Sequence, residues 1–174
     1  GPSRKTALEK SVTEKQIRAV FEKAADASEF KGKKVLAIFP DHTRSGPVPT
    51  FFKAFCDIVG KSAKKLDFII ALGTHQPMTD VMLKEHLGYS KKPTRFGIFN
   101  HEWDNPKANR QVGVLSKSEV EELSGGLMSL DVRVSINKKV FDYDLLAICG
   151  PVFPHEVVGF SGGNKYLYPG ISEG

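Results

Sequence analysis

A layered α/β domain with a mostly parallel sheet and helices on both faces is predicted by three features of this 174-residue chain. Short, nearly uninterrupted apolar runs, Val35–Phe39, Leu66–Leu72 and Leu145–Cys149, have the length and composition of strands buried on both sides. Segments of helical period lie between them. Each run also ends in a polar loop, so the order is strand, loop, helix, strand, from which parallel sheets are wound.

The elements follow in order. Ser11-Val12-Thr13 ahead of Glu14-Lys15-Gln16-Ile17 reads as a helix start, and Ile17, Val20, Phe21 and Ala24 then recur at helical spacing, predicting a capped amphipathic helix over about 13–27. Val35–Phe39 is a buried strand closed by the loop Pro40-Asp41-His42-Thr43-Arg44-Ser45-Gly46-Pro47. Helical period returns from Val48 to about Lys64 through Phe51, Phe52, Ala54, Phe55, Ile58 and Val59, and Leu66–Leu72 is the second buried strand. After the loop Gly73–Met78, Thr79-Asp80 caps a helix through Leu87. Arg95–Phe99 is a third strand, closed by Asn100-His101-Glu102. Gln111–Leu115 and Val132–Ile136 alternate and are expected at or beyond the sheet edge, with Asn137-Lys138-Lys139 turning back into Val140-Phe141. Asp144–Gly150 is the last buried strand, and a glycine-rich segment follows it. The sum is one three-layer, Rossmann-like α/β domain with no internal repeat.

Composition bounds the function. Lys and Arg number 25 against 20 Asp and Glu, a formal charge of +5 that favours anionic partners. The lysines fall mostly at element ends without interleaved aromatics, the pattern of a solvated surface, so no nucleic-acid partner is expected. No apolar run approaches the roughly 20 residues of a membrane helix, and no membrane partner is expected either. Gly1-Pro2-Ser3 reads as a protease-cleavage scar of an expression tag, with no signal peptide after it. The two cysteines, Cys56 and Cys149, are too few for a disulfide scaffold, which points to buried free thiols and a reducing, cytoplasmic setting.

Four strand ends carry chemistry: Asp41-His42-Thr43-Arg44, Thr74-His75, Asn100-His101-Glu102 and Pro154-His155-Glu156. In open parallel sheets the ligand crevice lies outside the carboxyl ends of the strands, so these loops are expected to converge on one edge. Arg44 has the planar fork that suits a carboxylate or phosphate, and Asp41 suits a ribose hydroxyl or an imidazolium; an internal Asp–Arg brace is the plainer alternative. His75 and His155, from different strands, are the candidate proton-transfer pair. His42 and His101 are expected to brace loops, and His86 to sit at the surface or cap its helix. Along Gly159-Phe160-Ser161-Gly162-Gly163-Asn164-Lys165 the glycines and successive amides suit a phosphate, and Lys165 adds a cation or a nucleophilic amine; a flexible turn with a solvated lysine is the alternative. The segment is not a Walker A loop, no dinucleotide fingerprint follows the first strand, and no helical His-Glu-x-x-His spacing marks a zinc site.

The motifs Asp41-His42-Thr43-Arg44, Ala71-Leu72-Gly73-Thr74-His75 with Pro77-Met78-Thr79, and Pro154-His155-Glu156 through Lys165 to Pro169-Gly170, in that order across about residues 35–172, resemble the N-terminal domain of the lactate racemase family, the nickel-pincer-nucleotide enzymes. The sequence departs from the family at Ser45-Gly46-Pro47, where Pro-Thr-Pro-like variants are usual, and at Gln76, where an arginine is common; both lie beside the expected substrate pocket. The resemblance implies that residues 4–174 are the α/β catalytic and cofactor-binding part of a larger racemase or epimerase of small 2-hydroxy acids, whose C-terminal domain is absent here. It implies a cofactor, pyridinium-3-thioamide-5-thiocarboxylic acid mononucleotide carrying nickel, attached covalently at Lys165. By the same resemblance Ser161, Gly162, Gly163 and Asn164 cradle its phosphate, Asp41 holds the nucleotide, Arg44 steers the substrate carboxylate, and His75 and His155 are the acid/base pair. A nickel-ligating histidine is expected beyond Gly174, so no metal ligand is assigned within this chain, which by itself is expected to lack turnover. A phosphate- or nucleotide-binding α/β domain without catalysis is the alternative, and a zinc hydrolase built on His75 and His155 a third.

Overall fold

The computed structural model describes residues 13–24, 27–156 and 159–173, with the side chains of residues 24, 27, 28 and 155 outside the description. The expected tag scar at Gly1-Pro2-Ser3 lies outside the described residues. In order the elements are α1 (Glu14–Ala24), α2 (Ala27–Phe30), β1 (Lys34–Pro40), α3 (Val48–Ala54), a π-helical stretch over Phe55–Val59, α4 (Gly60–Ser62), β2 (Lys65–Ala71), α5 (Asp80–Leu87) and β3 (Ile98–Asn100). There follow β4 (Asn109–Leu115), α6 (Lys117–Leu123), β5 (Val132–Asn137), a 3-10 turn over Lys138–Asp142, β6 (Leu145–Ile148), β7 (Phe153–His155), β8 (Gly159–Ser161) and a 3-10 turn over Gly163–Tyr166.

The main sheet is parallel, in the order β3-β2-β1-β6. Side chains alternate along β1, and each face meets its own layer. Val35, Ala37 and Phe39 join Phe52, Phe55, Phe68 and Leu83 under α3 and α5, where Phe39 sits 5.5 Å from both Phe55 and Phe68 between ring centroids, edge to face. Offset and edge-on contacts suit the ring quadrupole, which is why so many phenylalanines pack in one layer. Leu36 and Ile38, with Ile69 and Ala71, meet Val140, Tyr166 and Ile171 on the other face. That second layer is built from 3-10 turns and irregular chain instead of long helices, so the three layers are unequal in thickness.

The element boundaries differ from expectation for local reasons. Thr13 and Gln16 form a reciprocal capping box at the start of α1. α1 is described over Glu14–Ala24, within the expected 13–27, and Val20 is 68% exposed while Phe21 is covered by Phe55 at 4.8 Å. β3 begins at Ile98 and not at Arg95, because Arg95 donates to the Gly60 carbonyl and Gly97 N–H donates to buried Asp67, which draws this stretch under the sheet. Val132–Ile136 pairs antiparallel with residues 109–115 in a separate ribbon and does not turn back on Val140-Phe141. The expected turn at Asn137 is instead the start of a 3-10 turn, with Asn137 Oδ1 accepting from Lys139 N–H.

Helices α2 and α6 and the β7–β8 hairpin were not foreseen. α6 starts at Ser116, whose hydroxyl accepts from Glu119 N–H while the Glu119 carboxylate accepts from Ser116 N–H. Ser116-Lys117-Ser118-Glu119 has the capping-box spacing and carried the signal. The glycine-rich segment after the last strand begins as the β7–β8 hairpin, pairing Phe153 with Ser161 and His155 with Gly159. Cys56 and Cys149 are unpaired, half-buried thiols on different elements, and burial pushes each up to about 12. No described helix is long and apolar enough to cross a membrane.

Candidate functional site

β1 and β2 run side by side with Pro40 opposite Ala71, so the loops that follow them leave the sheet at the same edge. The chain after β6 supplies the facing wall. Ile171, fully buried against the second face of the sheet, pins that wall; burying such a side chain contributes roughly 1.5–3 kcal/mol. Gly73 N–H donates to the Gly170 carbonyl at 2.9 Å and ties the wall to the loop after β2. The cleft so formed encloses about 220 Å³ and includes Asp41, Arg44, His75, Gly162, Lys165 and Tyr166 in its lining.

Asp41 is the buried anchor, 3% exposed. Its Oδ1 accepts from the Thr43 hydroxyl at 2.6 Å and from Thr43 N–H at 3.2 Å, and its Oδ2 faces His75 Nδ1 at 2.6 Å. Burial by itself would raise the carboxyl, but the hydrogen bonds from Thr43 and His75 outweigh it and hold Asp41 below the ordinary value of 3.8. The His75 ring, with 56% of its side chain exposed, reaches out from this anchor to the cleft. Arg44 makes no ion pair with Asp41: the two are joined by a backbone turn, Arg44 N–H to Asp41 O at 3.2 Å, and the exposed guanidinium lies at the cleft. The internal Asp–Arg brace is therefore replaced by an Asp–His pair.

Lys165 sits in the Gly163–Tyr166 turn, half-buried, on the cleft wall. No carboxylate pairs with it among the described residues. Gly162 precedes the turn at φ 91°, in a region open in practice to glycine alone, and a Cβ there would collide with the Pro151 carbonyl. Its lack of a side chain thus serves packing of the hairpin against the chain after β6. Ser161 is 4% exposed and its hydroxyl points to the Phe153 carbonyl, within the hairpin. Gly163 and Asn164 lie in the same turn but outside the cleft lining. The His155 side chain lies outside the described residues.

The loop after β3 does a different job. Asn100 pins the loop before α5 through paired bonds to Met78 N–H and Met78 O, at 3.1 and 2.8 Å. His101 is fully buried, its Nε2–H donating to the Ser172 carbonyl at 2.8 Å and its Nδ1 accepting from Asn137 Nδ2 at 3.1 Å. It braces, as expected. His86, expected at the surface or as a cap, is half-buried and donates from Nε2 to the Pro40 carbonyl at 2.8 Å, steadying the end of β1. His42 is exposed. Sequence reading passed over Thr43 and Tyr166: an Asp with a hydroxyl residue two positions on is an Asx-turn signal that marks Thr43, whereas nothing local marks Tyr166.

Comparison with known proteins places these features in a family. The family described as the lactate racemase N-terminal domain matches residues 3–174. The chain is similar to the lactate racemase of Thermoanaerobacterium thermosaccharolyticum, 29% identical over 170 residues, covering 97% of this chain and 35% of that protein. Its fold is similar to a crystal structure of a Thermotoga maritima protein, with a TM-score of 0.81 and 31% identity over 92% of this chain and 39% of that one. It is also similar to the structure of the lactate racemase apoprotein from T. thermosaccharolyticum, with a TM-score of 0.75 and 25% identity over 93% of this chain and 37% of that one. The chain spans a little over a third of the length of these relatives.

Proposed function

Because this chain belongs to the lactate racemase N-terminal domain family, we propose that it is the cofactor-carrying part of a nickel-pincer-nucleotide racemase or epimerase of small 2-hydroxy acids, in the cytoplasm. The observation that carries the reading is the meeting of three groups at one cleft: an imidazole anchored by a buried carboxylate, and an arginine and a half-buried amine that have no carboxylate partner among the described residues.

The residues fit the implied cofactor by their chemistry. An arginine lining the cleft suits an anionic group, and a primary amine on the same cleft can attack an acyl carbon that carries a leaving group, which departs as the bond forms; Lys165 would hold the cofactor in that way. The chain covers 35% of the lactate racemase it resembles, and the reading includes a second domain, on a longer polypeptide, that closes the cleft and supplies the nickel-ligating histidine. The carbon of a 2-hydroxy acid that bears the hydroxyl is a poor proton acid, and when bound the nickel-pincer nucleotide supplies the hydride acceptor that no side chain provides.

This chain's own residues do the rest. Arg44 pairs with the substrate carboxylate through its planar fork and fixes which face of the substrate meets the cleft. His75 takes or returns the hydroxyl proton. His155, assigned from its place in the third motif, does the same on the opposite face, and two imidazoles, one for each enantiomer, are what inversion of a hydroxy acid requires. Gly162 holds the Lys165 turn against the hairpin; the phosphate role of Ser161, Gly162, Gly163 and Asn164 rests on the family resemblance, and of the four Gly162 lines the cleft.

Intact-mass measurement of the chain co-expressed with the enzymes that make the cofactor tests the reading. A mass adduct is expected on the wild type and absent from Lys165→Ala. A folded, unmodified wild type that binds a nucleotide would overturn it in favour of a non-catalytic phosphate- or nucleotide-binding domain.

A further inference from the structure

Both oxygens of the buried Asp41 carboxylate are engaged: Oδ1 accepts from the Thr43 hydroxyl and backbone N–H, and Oδ2 meets His75 Nδ1 at 2.6 Å. An ionised carboxylate only accepts hydrogen bonds, so the proton in the His75 contact belongs to Nδ1. In a neutral imidazole the other nitrogen then carries the lone pair, and on a ring that lines the cleft that nitrogen is Nε2. Three donors around a buried carboxylate also keep it ionised against its burial.

We infer that Asp41 is a positioning residue: oriented by Thr43, it fixes His75 as the Nδ1–H tautomer and presents Nε2 to the cleft as the basic nitrogen. The use of that nitrogen in catalysis rests on the racemase reading, whereas the tautomer does not. Asp41 would then act through His75.

The Thr43 contacts make the inference sharp, because they dictate what an isosteric amide would do. A backbone N–H cannot accept, so in Asp41→Asn the amide oxygen stays on the Thr43 side, where Thr43 N–H and the hydroxyl donate to Oδ1. The amide nitrogen is left facing His75. It donates to Nδ1, and the ring proton is forced to Nε2, the wrong side for a base at the cleft.

Nitrogen-15 NMR of histidine-labelled protein at about pH 8.5, above the imidazole range, reads which ring nitrogen carries the proton without cofactor or substrate. The wild type is expected to show His75 protonated at Nδ1, with the proton moved to Nε2 in Asp41→Asn. An Nε2–H signal in the wild type, or an unmoved Nδ1–H signal in a folded Asp41→Asn, would overturn the inference; if the variant does not fold, the wild-type spectrum alone decides. In the cofactor-loaded full-length enzyme the shift should accompany a fall in kcat of about 10²–10⁴ with little change in KM. A moved proton with unchanged kcat would uphold the tautomer assignment and count against His75 as the acid/base.

Discussion

At the scale of single residues, this protein uses the same device twice: a buried carboxylate saturated with donors. Asp41 does so at the cleft. Asp67 does so at the opposite end of β2, where it accepts from the Tyr143 hydroxyl at 2.5 Å, Gly97 N–H at 2.6 Å and Lys65 Nζ at 2.9 Å, with only 5% of its side chain exposed. Burial pushes this carboxyl up, but the bonds from Tyr143, Lys65 and Gly97 together hold it below 3.8. A depressed folded value means that the stabilisation is complete above the unfolded pKa near 3.8 and is lost as pH falls through the folded value. Asp67→Asn keeps the shape but removes the charge and cannot satisfy all three donors. Urea unfolding should show it less stable by about 2 kcal/mol at pH 7, with the difference shrinking toward pH 3.

At the scale of elements, α5 shows how helix termini position their surroundings. Thr79 caps α5, accepting from Met82 N–H, and Gly88 closes it in the left-handed region at φ 71°. A Cβ on Gly88 would come within 2.6 Å of Pro49 Cβ, so this glycine also lets α5 pack against the start of α3. Gly88→Ala thus meets both backbone strain and a steric clash, and should lower stability by about 2 kcal/mol, measured by thermal or urea unfolding. Because His86 on the same helix holds the carbonyl of Pro40, just before Asp41, hydrogen exchange in the loop after β1 should quicken in this variant as well. An unchanged Tm with unchanged exchange would show that α5 tolerates the side chain and does not steady the loop.

At the scale of the whole molecule, His101 ties three distant parts of the chain. It follows β3, accepts from Asn137 at the end of β5 and donates to Ser172 in the segment whose neighbour Ile171 anchors the cleft wall. Burial lowers its pKa, outweighing the Ser172 carbonyl that favours the charged form, so the folded protein holds it neutral below the ordinary 6.5. The sign follows: this stabilisation is full above about pH 6.5 and is lost as pH falls toward the depressed folded value. Unfolding free energies measured between pH 7 and 5 should fall, and His101→Gln should flatten that slope while lowering stability at pH 7. A slope unchanged by the substitution would assign the acid sensitivity to other groups.

Much of this was written in local pattern. The apolar runs of β1 and β2, the helical period from Val48 and the Thr79 cap are short-range preferences, and a parallel α/β sheet follows from them because such runs must be covered on both faces; the equally apolar run of β6, expected to be buried, is instead an edge strand with Leu146 and Ile148 exposed on one face. Asp41, Arg44, His75 and Lys165 were legible as candidates because each stands just past a strand or in a glycine-rich turn. Local pattern could not say where the Val132–Asn137 strand pairs, since its partner lies across an intervening helix, nor that Ser161 is buried while Gly162 and Lys165 face the cleft. Nor could it assign partners: Asp41 was open to a ribose, an imidazolium or Arg44 until the parallel register of β1 and β2 set it 2.6 Å from His75, 34 residues away. Residue chemistry is carried by the chain locally, whereas the pairing of two charged or titratable groups depends on long-range closure, and only the folded sheet decides that.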